Sequence, residues 1–179
     1  MVENLASSGV ISKEELSRLP GVPSQERLKK GPVAVIECAE QIPCNPCETA
    51  CPKGAIQVGE DINSLPVLDE AKCTGCGLCI PACPGLAIFV VDVTFSETEA
   101  LLQIPHEFLP LPQKGGIVNC LDREGKVVSL GKIIKVVNPK SYDRTPVVTV
   151  AIPKEFAQDI RAITQGEENG NDSYLRKER

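Results

Sequence analysis

The sequence predicts an α+β fold: a pseudo-twofold core, a helical N-terminal extension before it and a small antiparallel β C-terminal module after it. Three observations predict this. A cysteine-rich pattern recurs at a fixed displacement of 32 residues. Helix-capping residues stand ahead of short segments near the N-terminus, and apolar β-type segments separated by turn residues fill the second half. At 179 residues, 42% hydrophobic and 24% charged, the chain has an ordinary globular composition. Four Phe, two Tyr and no Trp leave little aromatic packing, so something besides side-chain bulk must help to hold it.

Residues 1–32 read as an N-terminal docking extension. Ser12 and Glu15 have capping-box spacing, Leu16 and Leu19 form an apolar stripe, and Pro20-Gly21 stops the helix. Ser24 caps a second short helix that ends at Gly31-Pro32. Neither helix is long enough to be stable alone, so the segment must pack on the body or on a partner.

Residues 33–93 repeat internally. Cys44, Cys47, Cys51, Pro52, Ala55 and Ile56 recur as Cys76, Cys79, Cys83, Pro84, Ala87 and Ile88. Each half begins in a β segment (Val33 to Glu37; Pro66 to Asp69), winds through cysteine-rich loops and leaves in another (Ala55 to Val58; Ala87 to Val93).

Residues 94–116 read as a Pro-rich connection, interrupted by a short helix around Glu97 to Leu102. Residues 117–164 read as the β module: Ile117 to Leu121, Lys126 to Leu130, Lys132 to Val137 and Val147 to Ile152, with a turn at Asp122 to Gly125. Phe156, Ile160 and Ile163 then share one helical face within Lys154 to Ile163, and residues 165–179 are polar enough to be expected disordered.

Nine cysteines could be disulfides, but the first nine residues show neither a basic nor an apolar export region, and clustered cysteines in a reducing compartment bind metal. A cytoplasmic location is therefore expected. The longest apolar run, Ala87 to Val91, is far too short to cross a bilayer, which argues against a membrane role. Residues 33–93 hold two lysines against eight carboxylates, which disfavours nucleic acid and suits a basic protein partner.

The second repeat, Cys73-Thr-Gly-Cys76-Gly-Leu-Cys79-Ile-Pro-Ala-Cys83-Pro84, is the C-x2-C-x2-C-x3-C-P run that binds 4Fe-4S clusters. Three closely spaced thiolates reach one cluster, and the fourth, carried away by the following turn, reaches the other. Gly75 and Gly77 permit the backbone angles of a loop wrapped round an inorganic core. The first repeat departs from this spacing as Cys38-x5-Cys44-x2-Cys47-x3-Cys51-Pro52. Repeat arithmetic would put its first ligand at Gln41, so Cys38 requires a longer loop. If Cys38 is a structural thiol instead, Glu40 and Gln41 are the residues to inspect.

With these motifs, residues 33–93 resemble a bacterial dicluster ferredoxin. The resemblance implies two 4Fe-4S clusters and a fold whose halves exchange their fourth ligands. It implies Cys38, Cys44, Cys47 and Cys83 on the first cluster, and Cys51, Cys73, Cys76 and Cys79 on the second. Zinc competes weakly, because a four-cysteine zinc site needs no third cysteine at x2 followed by x3 and Pro.

The chain also resembles, less specifically, ferredoxin-like proteins associated with flavin-dependent amino-acid or amine dehydrogenases of anaerobic bacteria. The likeness is carried by Gly31-Pro-Val-Ala-Val-Ile-Glu-Cys38 and Ile42-Pro-Cys-Asn-Pro-Cys47, and later by Val136-Val-Asn-Pro-Lys140 and Thr145-Pro-Val-Val-Thr-Val150. It implies a hetero-oligomer in which this chain, not itself an enzyme, relays single electrons to or from a flavin-containing dehydrogenase subunit. A structural iron–sulfur binding or assembly module without redox turnover is the alternative. No G-x-G-x-x-G, phosphate-binding loop or nucleophile motif is present. Cys120 is expected as a small buried hydrophobe and His106 as an exposed loop residue.

Overall fold

The computed structural model describes residues 4–165. The N-terminal extension folds into α1 (Asn4–Ser8), α2 (Lys13–Leu16) and α3 (Gln25–Leu28). Ser12 and Glu15 close the capping box on α2: Ser12 Oγ accepts from Glu15 N at 3.2 Å, and Ser12 N donates to Glu15 Oε2 at 2.7 Å. Ser24 Oγ caps α3 by accepting from Arg27 N at 3.1 Å. Leu16 and Leu28 are buried, and the linking Pro20-Gly21 lies on the body, its carbonyls accepting from Leu68 N and Ile36 N at 3.0 Å. A Cβ on Gly21 would come within 2.6 Å of Ile36 Cβ, so only glycine allows this approach.

The remaining strands are β1 (Val33–Ile36), β2 (Ile56–Gln57), β3 (Val67–Leu68), β4 (Ile88–Asp92), β5 (Glu99–Pro105), β6 (Ile117–Leu121), β7 (Val127–Val137), β8 (Val147–Pro153) and β9 (Ala162–Gln165). A single helix, α4 (Pro46–Ala50), lies among the cysteine loops. β2 and β3 form a small antiparallel pair, while the other seven strands make one antiparallel sheet in the order β1-β4-β5-β8-β7-β6-β9. Among the described residues no helix is long and apolar enough to cross a membrane.

Several sequence expectations need correction. The stretch expected as a connection with a helix over Glu97 to Leu102 contains β5, which lies between β4 and β8. Its period is two, with Ala100, Leu102 and Ile104 wholly buried, and pairing on both edges outweighs the local helix preference of Glu-Ala-Leu-Leu. The β segments expected to form a separate module are consequently continuous, through β5, with β1 and β4 of the cysteine-rich half.

The helix expected over Lys154 to Ile163 is a 3-10 turn, Lys154–Phe156, followed by β9. Ile160 and Ile163 are still buried, but the free edge of β6 recruits residues 162–165 into hydrogen bonding, Ile163 opposite Cys120. Gln165, expected in the tail, belongs to this strand; residues 166–179 lie outside the described residues.

The two segments expected either side of Gly131 are one strand, β7. A Cβ at Gly131 would stand 2.6 Å from Cys120 Sγ and from Val150 Cγ2, so this glycine marks a close crossing within the sheet.

Candidate iron–sulfur site

The thiols line two cavities under the β1–β4 end of the sheet. One has about 380 Å³ free of protein atoms, open solvent included, and is bounded by Cys38, Cys44, Cys47 and Cys83 with Ile36 and Ile88. The other has about 340 Å³ and is bounded by Cys51, Cys73, Cys76 and Cys79 with Ile56 and Val90. Each cavity thus takes three cysteines from one repeat and the last cysteine of the other. Crossing follows from the local structure: α4 carries Cys47 on its first turn, started by Pro46, and Cys51 at its C-terminal end. One short helix separates the two thiols by enough to face different cavities.

Cys38, displaced in sequence, does line the first cavity, together with Glu40; Gln41 does not. Its thiol points toward Glu40 O at 4.0 Å. Cys120, by contrast, is buried in β6 away from both cavities, in the role of a small core residue. His106 is not exposed: it is 6% accessible, its N donates to Pro146 O at 2.9 Å, and its ring packs edge-on to Phe108. Pairing of β5 with β8 up to Pro105 and Val147 draws it inward, and burial lowers its pKa.

The loop glycines form a cradle that favours glycine at both positions, through backbone crowding at Gly75 and through left-handed backbone at both. Gly75 and Gly77 have φ of +65° and +79°. A Cβ on Gly75 would meet Pro32 Cβ at 2.5 Å, and one on Gly77 would meet Gln103 Oε1 at 2.5 Å. Two backbone donors point at sulfur in the same cavity: Ala34 N to Cys73 Sγ at 3.4 Å and Ala55 N to Cys51 Sγ at 3.3 Å. Such bonds stabilise negative charge on a thiolate.

The thiols can ionise in these cavities only when a cation compensates them. Burial pushes the Cys79 thiol up to about 12, and Cys73, Cys76 and Cys51 reinforce it. Burial likewise pushes Cys47 up to about 11 and raises Cys38, in both cases with Cys83 as the next contributor. Four thiolates cannot share such a cavity unless positive charge compensates them, which iron provides. Among the described residues no three His, Cys, Asp or Glu side chains lie close enough to hold one ion, and the thiols instead ring each cavity. The donor set fits a cluster.

Two charged groups that sequence reasoning missed flank the site. Glu37, the residue before Cys38, accepts from Arg123 Nε at 2.9 Å and Nη2 at 2.6 Å, and from Arg161 Nε at 2.6 Å. Burial would raise the Glu37 pKa, but the two guanidinium groups outweigh it and hold the carboxyl below its usual range. Arg27 of α3 reaches the carbonyl of Cys73 at 2.7 Å. No local pattern could have revealed either, because the partners are 86, 124 and 46 residues apart.

Residues 42–87 match the 4Fe-4S dicluster domain. The chain is 49% identical over 47 residues to one component of the ion-translocating oxidoreductase complex of Methanosarcina acetivorans, covering 26% of this chain and 17% of that protein. It is 53% identical over 38 residues to one component of the Na(+)-translocating ferredoxin:NAD(+) oxidoreductase complex of Acetobacterium woodii, covering 21% and 11%. It is 47% identical over 45 residues to the polyferredoxin-like subunit of aliphatic sulfonate oxidoreductase of Pyrococcus furiosus, covering 25% of each. The match therefore spans a quarter or less of these relatives' length. No solved structure matches the chain.

Cavities, donor set and domain match together define an iron–sulfur, ferredoxin-like electron-transport segment. Its cofactors are two 4Fe-4S clusters.

Proposed function

We propose that the chain is the electron-transfer subunit of an oxidoreductase complex, relaying single electrons between protein partners through its two clusters. The observation that carries this reading is the exchange of the fourth cysteine between the two cavities. Cys38, Cys44, Cys47 and Cys83 hold the first cluster; Cys51, Cys73, Cys76 and Cys79 hold the second. Each bound cluster supplies one-electron redox chemistry. The protein supplies eight thiolates, the N–H groups of Ala34 and Ala55 on sulfur, and apolar walls from Ile36, Ile56, Ile88 and Val90 that limit water. Sharing α4 between the two sites keeps them adjacent, as electron relay requires.

The partner in this reading is a flavin-containing dehydrogenase in the cytoplasm, which takes two electrons from its substrate and passes them on singly. It is supported by the resemblance to proteins associated with flavin-dependent dehydrogenases and by relatives whose names make them components of oxidoreductases. Untagged anaerobic purification from the native organism tests it. Co-elution with a flavin-containing protein and about eight irons and eight sulfides per chain are expected. A monomer that exchanges electrons freely with many enzymes would exclude the dedicated partner. Clusters that no low-potential donor can reduce would leave only the structural role.

A further inference from the structure

We propose that Arg27, in the N-terminal extension, is a positioning residue for the second thiol set: it clamps the Cys73 loop to the start of β1 and fixes a positive charge beside it. The inference rests on reading Cys51, Cys73, Cys76 and Cys79 as a 4Fe-4S site. The guanidinium bonds four carbonyls: Nε donates to Glu70 O at 2.8 Å, Nη1 to Gly31 O at 3.0 Å, and Nη2 to Pro32 O at 3.0 Å and Cys73 O at 2.7 Å. Two of these carbonyls precede β1, one belongs to the first cysteine of the loop and one lies just ahead of it. Only a planar fork of donors can hold both segments at once; an ammonium group cannot span them.

The clamp acts where tolerances are smallest. Pro32 is the residue that a side chain on Gly75 would strike at 2.5 Å, and Ala34 N, two residues further along, donates to Cys73 Sγ at 3.4 Å. Loosening the Gly31–Pro32 segment would therefore lengthen a bond to a ligand sulfur and open the cradle. Helix α3, too short for independent stability, is held in place by Ser24, whose N and Oγ donate to the Glu70 carboxylate at 2.7 and 2.9 Å.

Charge acts in the same direction. Arg27 is bound to carbonyls, which do not neutralise it, and Glu70, a carboxylate within its electrostatic reach, is also reached by Lys30. Reduction adds one electron, taken from an external low-potential donor, with no bond made and no proton moved. A fixed cation favours the more negative reduced state and so raises the potential. Removing Arg27 lowers it and leaves Glu70 less compensated, which lowers it further.

The test is a dithionite redox titration of the full holoprotein, followed by electron paramagnetic resonance, for wild type, Arg27→Gln and Arg27→Lys. Cys76→Ser identifies the signal of the second cluster. Arg27→Gln should make that cluster's potential more negative by about a tenfold change in reduced-to-oxidised ratio, about 59 mV for one electron, and leave the other unmoved. Arg27→Lys, keeping the charge but losing the fork, should give a smaller shift. If Arg27→Gln selectively loses the irons of the second cluster, the clamp is supported directly and Arg27→Lys carries the titration. Equal shifts of both clusters, loss of both, or no shift in either variant would overturn the inference. A wild-type protein without two 4Fe-4S clusters would instead refute the underlying assignment, before any variant is made.

Discussion

Arg161 Nε donates to Glu37 Oε1 at 2.6 Å across 124 residues, joining the turn before β9 to the residue before Cys38. The pair is buried, with 7% and 8% of the side chains accessible, and the Arg161 guanidinium also lies 4.9 Å over the Phe89 ring of β4. Arg123 completes the arrangement from the β6–β7 turn. The far end of the sheet thereby anchors the long loop that lets Cys38 reach its cavity.

Removing Glu37 would leave two buried guanidinium groups uncompensated, whereas removing Arg161 leaves Glu37 paired with Arg123 alone. Arg161→Gln should destabilise the holoprotein by about 2 kcal/mol, as for a lost hydrogen bond to a charged group and less than a fully broken buried pair, because Arg123 still contacts Glu37. Thermal unfolding followed by far-UV circular dichroism and by cluster absorbance checks it. Bleaching of cluster absorbance should accompany unfolding at the lowered temperature. An unchanged midpoint would mean that Glu37 gains nothing from Arg161.

Cys38→Ser should cost one cluster and not both. Protein purified anaerobically should carry about four irons in place of eight, whereas Cys120→Ala, remote from both cavities, should keep all eight. Retention of eight irons with an unaltered spectrum in Cys38→Ser would remove Cys38 from the ligand set and turn attention to Glu40, which lines the same cavity.

Glycine positions separate loop strain from loop crowding. Gly54→Ala, with φ of +57° and nothing within 4 Å of the new Cβ, should cost only the left-handed penalty of about 1–2 kcal/mol. Gly75→Ala meets the Pro32 backbone at 2.7 Å as well as the strain, and should lose the second cluster. Iron analysis and melting temperatures of the two variants provide the comparison. Equal behaviour would show that the cradle yields.

His106 predicts a pH dependence. Burial lowers its pKa in the folded protein, so the unfolded chain binds more protons near neutrality and stability falls as pH drops through the ordinary histidine value of 6.5. Above that value the contribution is fully present. His106→Asn should flatten the change in stability between about pH 7 and 5 relative to wild type. Parallel profiles for the two proteins would contradict it.

Sequence signals are legible where a few adjacent residues decide the outcome. The Ser12–Glu15 box, the Ser24 cap and the bounds of β6 depend on hydrogen bonds or alternation within a handful of positions. β5 misleads because Glu-Ala-Leu-Leu favours a helix locally, and only strands β4 and β8 on either side make its period of two decisive. Helix α4 leaves one usable trace, Asn45-Pro46 ahead of Cys47, which suits a helix start.

By itself the sequence determined the cofactor chemistry, because thiolate number, spacing and the following prolines are local covalent facts that only a cubane uses in full. It could not decide which distant charges would surround those thiols. Arg27 at Cys73, Arg123 and Arg161 at Glu37, and Gln103 at Gly77 are brought there by strand order and by the crossing of the N-terminal extension over β1. Such contacts depend on the packing of the whole sheet, and no run of neighbouring residues encodes them.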